Sequence, residues 1–194
     1  MKIPLLCLAA LAVLAPLRAQ SIFVVMEDGV PKPVKAISDD GHPEIMVKGA
    51  LHKSSGLTYS LRKAAIYGVG LIDLSSFKLE TTTMYTNGAN LQMHVHGRLT
   101  SDTSLKQCFV VLRLVTDMGP GVVFVPLPDL EANQEADVDR LADLPLHFEM
   151  GKGKFEILIF SNGLQLLTSR MPPMYVAQQK QKTQDYLLQH AAAH

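Results

Sequence analysis

The chain of 194 residues carries 18 Lys and Arg against 18 Asp and Glu, so its formal charge at pH 7 is zero. That balance gives no long-range attraction to nucleic acid or to an anionic membrane surface. Two cysteines, no tryptophan and five tyrosines argue against a disulfide scaffold and against a cleft that stacks sugars on aromatic rings.

The N-terminus, "MKIPLLCLAALAVLAPLRAQ", has Lys2, then an apolar run from Ile3 to Leu17, then Ala19. The run is short for a membrane span, which needs about 20 residues, and Pro4 and Pro16 suit a buried helix badly. The layout is that of a secretory signal peptide over 1–19, cut after Ala19. Cys7 lacks the small residues that precede a lipid-anchored cysteine. The mature chain would start at Gln20, with 16 basic against 18 acidic residues, a net charge of −2. It keeps Cys108 alone and no second segment apolar enough to span a bilayer, so the protein is expected to be periplasmic or extracellular without an internal disulfide.

Residues 20–76 read as an N-terminal β-rich segment. "SIFVVMED" and "VPKPVKAI" flank Asp28-Gly29, a hairpin-turn dipeptide, and "DDGHP" leads into "EIMVKGAL"; the three runs suggest a small meander. "LTYSLRKAAIYGVGLIDL" fits either a strand bent at Gly68 and Gly70 or a short helix.

From 77 to 170 the pattern is that of an antiparallel β-sandwich domain. Strands are expected at 78–86, 90–99, 107–116, 121–127, 145–150, 154–160 and 163–169, separated by "TNGAN", "TSDTS", "DMGPG", "GKGK" and "SNG". The number and order of the strands resemble immunoglobulin-like and fibronectin-III-like sandwiches, a likeness that implies a fold and no function. "CFVVLRLV" is apolar on both alternating faces until Arg113 and reads as a central strand. Cys108 opens that strand as an inert core thiol. "DLEANQEADVDRLAD" lacks the glycine and the Asp spacing of a calcium loop and reads as a solvated acidic loop.

Residues 171–194 read as a helical or partly ordered tail. Pro172 and Pro173 can start a helix, and "QQKQKTQD" in its middle is polar on every face.

The one constellation with chemistry is "NLQMHVHGRL". Alternation puts Gln92, His94, His96 and Arg98 on the face away from the core. Two imidazoles can share zinc or copper, but a tight site needs three or four ligands. His147 in "PLHFEM" also faces outward, with Glu149. If 145–150 pairs with 90–99, as the fifth strand pairs with the second in an immunoglobulin-like order, His147 completes a site with His94 and His96.

No nucleophile elbow, Walker loop, dinucleotide fingerprint or HExxH is present. The sequence therefore points to a non-catalytic exported sandwich protein without a cofactor: a structural, adaptor or binding module. It would meet another envelope protein through the tail or an exposed strand edge, and it would not bind nucleic acid. The alternative is a zinc- or copper-binding protein built on His94, His96 and His147.

Overall fold

The computed structural model describes residues 22–191 except 57, 63–69, 86–88, 117–118 and 145–153. The leader over 1–19 and the expected strand over 145–150, which includes His147, lie outside the described residues. The described chain is mainly β, in several largely antiparallel sheets, with one C-terminal helix. Among the described residues no helix is long and apolar enough to cross a membrane.

Strands β1 (Ile22–Glu27) and β2 (Val30–Pro33) form the hairpin signalled by Asp28-Gly29. Both turn residues have positive φ (51° and 75°), the type I′ geometry whose twist matches the strands. "VPKPVKAI" does not continue as one strand. Pro31 and Pro33 offer no amide hydrogen, so β2 ends, and β3 (Ala36–Ile37) opens a second sheet with β4 (Pro43–Val47) and β5 (Ala50–Lys53). Lys48-Gly49, again at positive φ, folds "EIMVKGAL" into a hairpin of its own. Strand β6 (Tyr59–Arg62) pairs with the other edge of β1. The expected meander is thus two three-stranded sheets. The link between β5 and β6 is fastened to the end of β1. The Glu27 carboxylate accepts hydrogen bonds from the Ser54 hydroxyl, the Ser55 hydroxyl (3.2 Å) and the Gly56 amide (3.2 Å).

The remaining strands are β7 (Leu71–Asp73), β8 (Lys78–Tyr85), β9 (Ala89–Ser101), β10 (Cys108–Thr116), β11 (Gly119–Pro126), β12 (Glu135–Asp143), β13 (Lys154–Ser161), β14 (Leu164–Gln165) and β15 (Leu167–Thr168), followed by helix α1 (Pro173–Ala191). One sheet has the order β11-β10-β13-β14. The other has the order β12-β9-β7-β15, with β8 also paired to β9 and β15 running parallel to β7.

The stretch expected to be an acidic loop is in part a strand. Residues 135–143 pair with 92–100 of β9, so Ala136, Val138 and Ala142 turn toward the core and the acids turn out. Arg140, at the sheet edge, interrupts the apolar alternation and hides the strand in the sequence.

The β10 sheet is buried on both faces. Cys108, Val110, Leu112, Val123, Val125 and Ile159 pack against Met93, Val95, Leu99 and Val138 of the β9 sheet, with Phe77 between. The alternate residues Phe109, Val111, Phe124, Leu158 and Phe160 pack against Phe23, Val25, Val34, Ile37 and Ile45 of the N-terminal sheets. Phe109 and Phe160 are direct cross-strand partners with stacked rings, 5.3 Å between centroids, and Phe23 meets Phe124 edge-on at 5.4 Å. Cutting such a buried Phe to Ala typically costs about 3–5 kcal/mol. Arg113 and Glu156, cross-strand partners joined by an ion pair of 3.3 Å, stand at the end of the sheet's apolar stretch.

Helix α1 begins with Pro173, whose missing amide hydrogen costs nothing in a first turn. Lys180 reaches Asp102 at 3.0 Å, and Asp102 also accepts the Leu71 amide at 2.7 Å, so one carboxylate joins the helix to the end of β9 and the start of β7. Met174 and Leu188 stay exposed.

Hydrogen bonds, first from Ser54, hold the Glu27 carboxyl below its ordinary value of 4.5. A group depressed in this way stabilises the fold above its unfolded value, and that stability is lost as pH falls through the folded value. Glu27→Gln should therefore lower the urea midpoint most near neutral pH, with the gap to wild type closing below pH about 4. A gap that stayed constant from pH 7 to pH 3 would show that the charge of Glu27 plays no part.

Candidate metal centre

The outer face of the β8–β9–β12 sheet follows from register. Glu80 lies opposite His94, and Lys78 opposite His96, across the β8–β9 pair. On the other side of β9, Leu141 lies opposite His94, Asp139 opposite His96 and Asp137 opposite Arg98. Directly opposed residues share a face, so the histidine pair has one carboxylate on each flank, Glu80 on β8 and Asp139 on β12. Gly97 lets β8 begin here. Its φ of 135° is strained for any side chain, and an added Cβ would stand 2.2 Å from the Ser76 carbonyl oxygen.

The two imidazoles stack, with centroids 4.5 Å apart and planes 27° from parallel. His94 Nε2 lies 2.6 Å from Asp139 Oδ1. An ionised carboxylate can only accept, so Nε2–H donates and, in the neutral ring, Nδ1 keeps its lone pair. His96 Nε2 lies 3.3 Å from Glu80 Oε1 but makes no hydrogen bond, and the nitrogen itself is buried from solvent. A buried polar atom without a partner carries a desolvation cost that a ligand would relieve.

Glu80, His94 and His96 each offer one ligand atom, and these atoms lie within 4.8 Å of one another. Two donors bound to one tetrahedral zinc at 2.0–2.1 Å are separated by about 3.3 Å. The His96–Glu80 separation of 3.3 Å matches that spacing, and a donor atom of His94 lies within 4.8 Å of both. The donors are nitrogen, nitrogen and oxygen, a set that suits zinc or copper(II).

Sequence reasoning placed His94 and His96 on one outward face, and they are there. It chose His147 as the third ligand, a residue outside the described part of the chain. The strands seen beside β9 are β12, along residues 92–100, and β8, along residues 89–96. The third donor brought to the pair is Glu80, which sequence reasoning missed. The turn signal in "TNGAN" does not find it: a two-residue Asn-Gly turn would pair Thr86 with Ala89 and set Glu80 opposite Val95, whereas the observed pairing of Tyr85 with Ala89 sets Glu80 opposite His94. Asp139 was also missed, hidden in the stretch read as a loop.

No family model, no curated protein and no solved structure matches the chain.

If Asp139 orients and polarises the His94 ring, Asp139→Ala should weaken zinc binding by about 10- to 100-fold, the usual effect of removing the partner of a ligating histidine, while thermal unfolding without metal hardly changes. Unaltered zinc affinity would make the 2.6 Å contact a surface ion pair and nothing more.

Proposed function

We propose that this chain is an exported, non-catalytic β-sandwich module that binds zinc or copper through Glu80, His94 and His96. The observation that carries the reading is the convergence of these three donors around a buried, unpartnered imidazole nitrogen. The donors stand on an open sheet face, with side chains 62% (Glu80), 33% (His94) and 29% (His96) exposed. An open face of this kind suits capture of an ion or a bridge to a partner better than enclosure of a substrate. Export rests on Lys2, the apolar run to Leu17 and Ala19.

We read the two sheets facing each other across the Met93 and Val110 core as an immunoglobulin-like or fibronectin-III-like sandwich. Counting from β8, the second strand pairs with the fifth (β9 with β12) and the third with the sixth (β10 with β13). That pairing scheme supports the reading.

The test is calorimetric titration of purified 20–194, untagged, with zinc and then copper at neutral pH, beside His94→Ala/His96→Ala and Glu80→Gln. Micromolar or tighter binding is expected in the wild type, abolished in the double variant and reduced in Glu80→Gln. Equal binding in all three proteins, or none in any, removes the metal reading.

A further inference from the structure

We propose that Lys78 sets the affinity of the metal centre: its ammonium stands against the bound ion, weakens its hold and keeps it exchangeable. The inference rests on the metal reading above and adds to it a residue that is no ligand yet governs how tightly the ion is held.

Register puts Lys78 at the site. On β8, Lys78 lies directly opposite His96, and Glu80 directly opposite His94. Opposed residues share a face, with Cβ atoms about 4.5–5.5 Å apart. Lys78 is exposed on that face. Its four-carbon stem is long enough to carry the ammonium to the space beside His96 Nε2 and Glu80 Oε1, the two donors that lie 3.3 Å apart.

The other charges of the face single it out. Arg98, the next outward residue of β9, already faces Glu135 and Asp137 at 3.3 and 3.5 Å. Asp139 is engaged with His94 at 2.6 Å. Lys78 forms no ion pair among the described residues. A zinc ion held by two neutral imidazoles and one carboxylate keeps a net positive charge, which the ammonium repels. In the empty site the same flexible stem can swing to the Glu80 carboxylate, which the ion must then win back. Both effects act against binding. At the high dielectric of an exposed site, one such charge at about 6 Å changes an affinity by roughly three- to tenfold. A structural zinc is enclosed by four protein ligands. Here three partly exposed donors sit beside a like charge, an arrangement that suits an ion taken up and given back.

Calorimetric titration of 20–194, Lys78→Gln and Lys78→Arg with zinc, at low salt and in about 1 M potassium nitrate, tests this. At low salt Lys78→Gln should bind zinc roughly three- to tenfold more tightly than wild type, and Lys78→Arg, which keeps the charge, should match wild type. In high salt the gap should shrink below about twofold, because the repulsion is screened. Zinc affinity in Lys78→Gln equal to or weaker than wild type overturns the role of Lys78 and leaves the metal reading standing. So does a gap that salt leaves unchanged, or Lys78→Arg binding as tightly as Lys78→Gln, since the effect would then not be one of charge. A wild type that binds no zinc, or binds it no better than His94→Ala/His96→Ala, loses both.

Discussion

A strand apolar on both faces must be covered twice, and β10 is such a strand. From Cys108 to Leu112 every side chain is buried. Odd and even positions feed two separate clusters, one under the β9 sheet and one under the N-terminal sheets. Its neighbours repeat the division: in β13, Ile159 faces one way and Leu158 and Phe160 the other, and in β11, Val123 and Val125 oppose Phe124. At roughly 1.5–3 kcal/mol for each large apolar side chain taken from water, uncovering either face would consume a stability of about 5–15 kcal/mol. The three-layer arrangement follows from this one strand. Strands β1 to β5 cover one face of the β10 sheet with Phe23, Val25, Val34, Ile37 and Ile45.

The same constraint leaves the outer face of the β9 sheet to water. Its inner residues are committed to the core, so period-two alternation assigns His94 and His96 to the open side. There the hairpin to β8 and the pairing to β12 put a carboxylate on each flank: Glu80 by His96 and Asp139 by His94. The arrangement is not symmetrical in chemistry. The Asp139 contact is a short hydrogen bond that fixes the His94 ring, whereas the Glu80 contact leaves the His96 nitrogen unsatisfied. Asp139 positions the His94 ring, and Glu80 lies at ligand spacing from the His96 nitrogen. That difference, more than the HxH spacing, separates a ligand set from an ordinary surface ion pair.

Much of this was legible in the residues because it is local. Asp28-Gly29 and Asn162-Gly163 mark hairpins, since both residues of each pair adopt the positive φ such turns demand. The double-faced apolar run of β10 announces a central strand, and Pro172-Pro173 announces the helix that follows. What escaped was carried by long-range pairing. Strand β12 looked like a loop because its inward residues are small (Ala136, Val138, Ala142) and Arg140 interrupts them. The split of "VPKPVKAI" and "EIMVKGAL" between two sheets turned on two prolines without amide hydrogens and on a Lys48-Gly49 turn. The third donor was missed for a related reason. Periodicity says which face a residue occupies but not which strand lies beside it, so Glu80, fourteen positions from His94 in sequence, became its neighbour only through register.

The metal centre requires that His94 and His96 of β9, and not the chain's other histidines, take the ion. Imidazole nitrogen NMR of isotope-labelled 20–194 resolves each ring during zinc addition. The account predicts that the His94 and His96 nitrogens move together to the shifts of metal-bound imidazole, while His42 and His52, exposed on the N-terminal sheet and its loop, stay where they were. Zinc shifts confined to His42, His52 or the C-terminal histidines, with His94 and His96 unmoved, would contradict it.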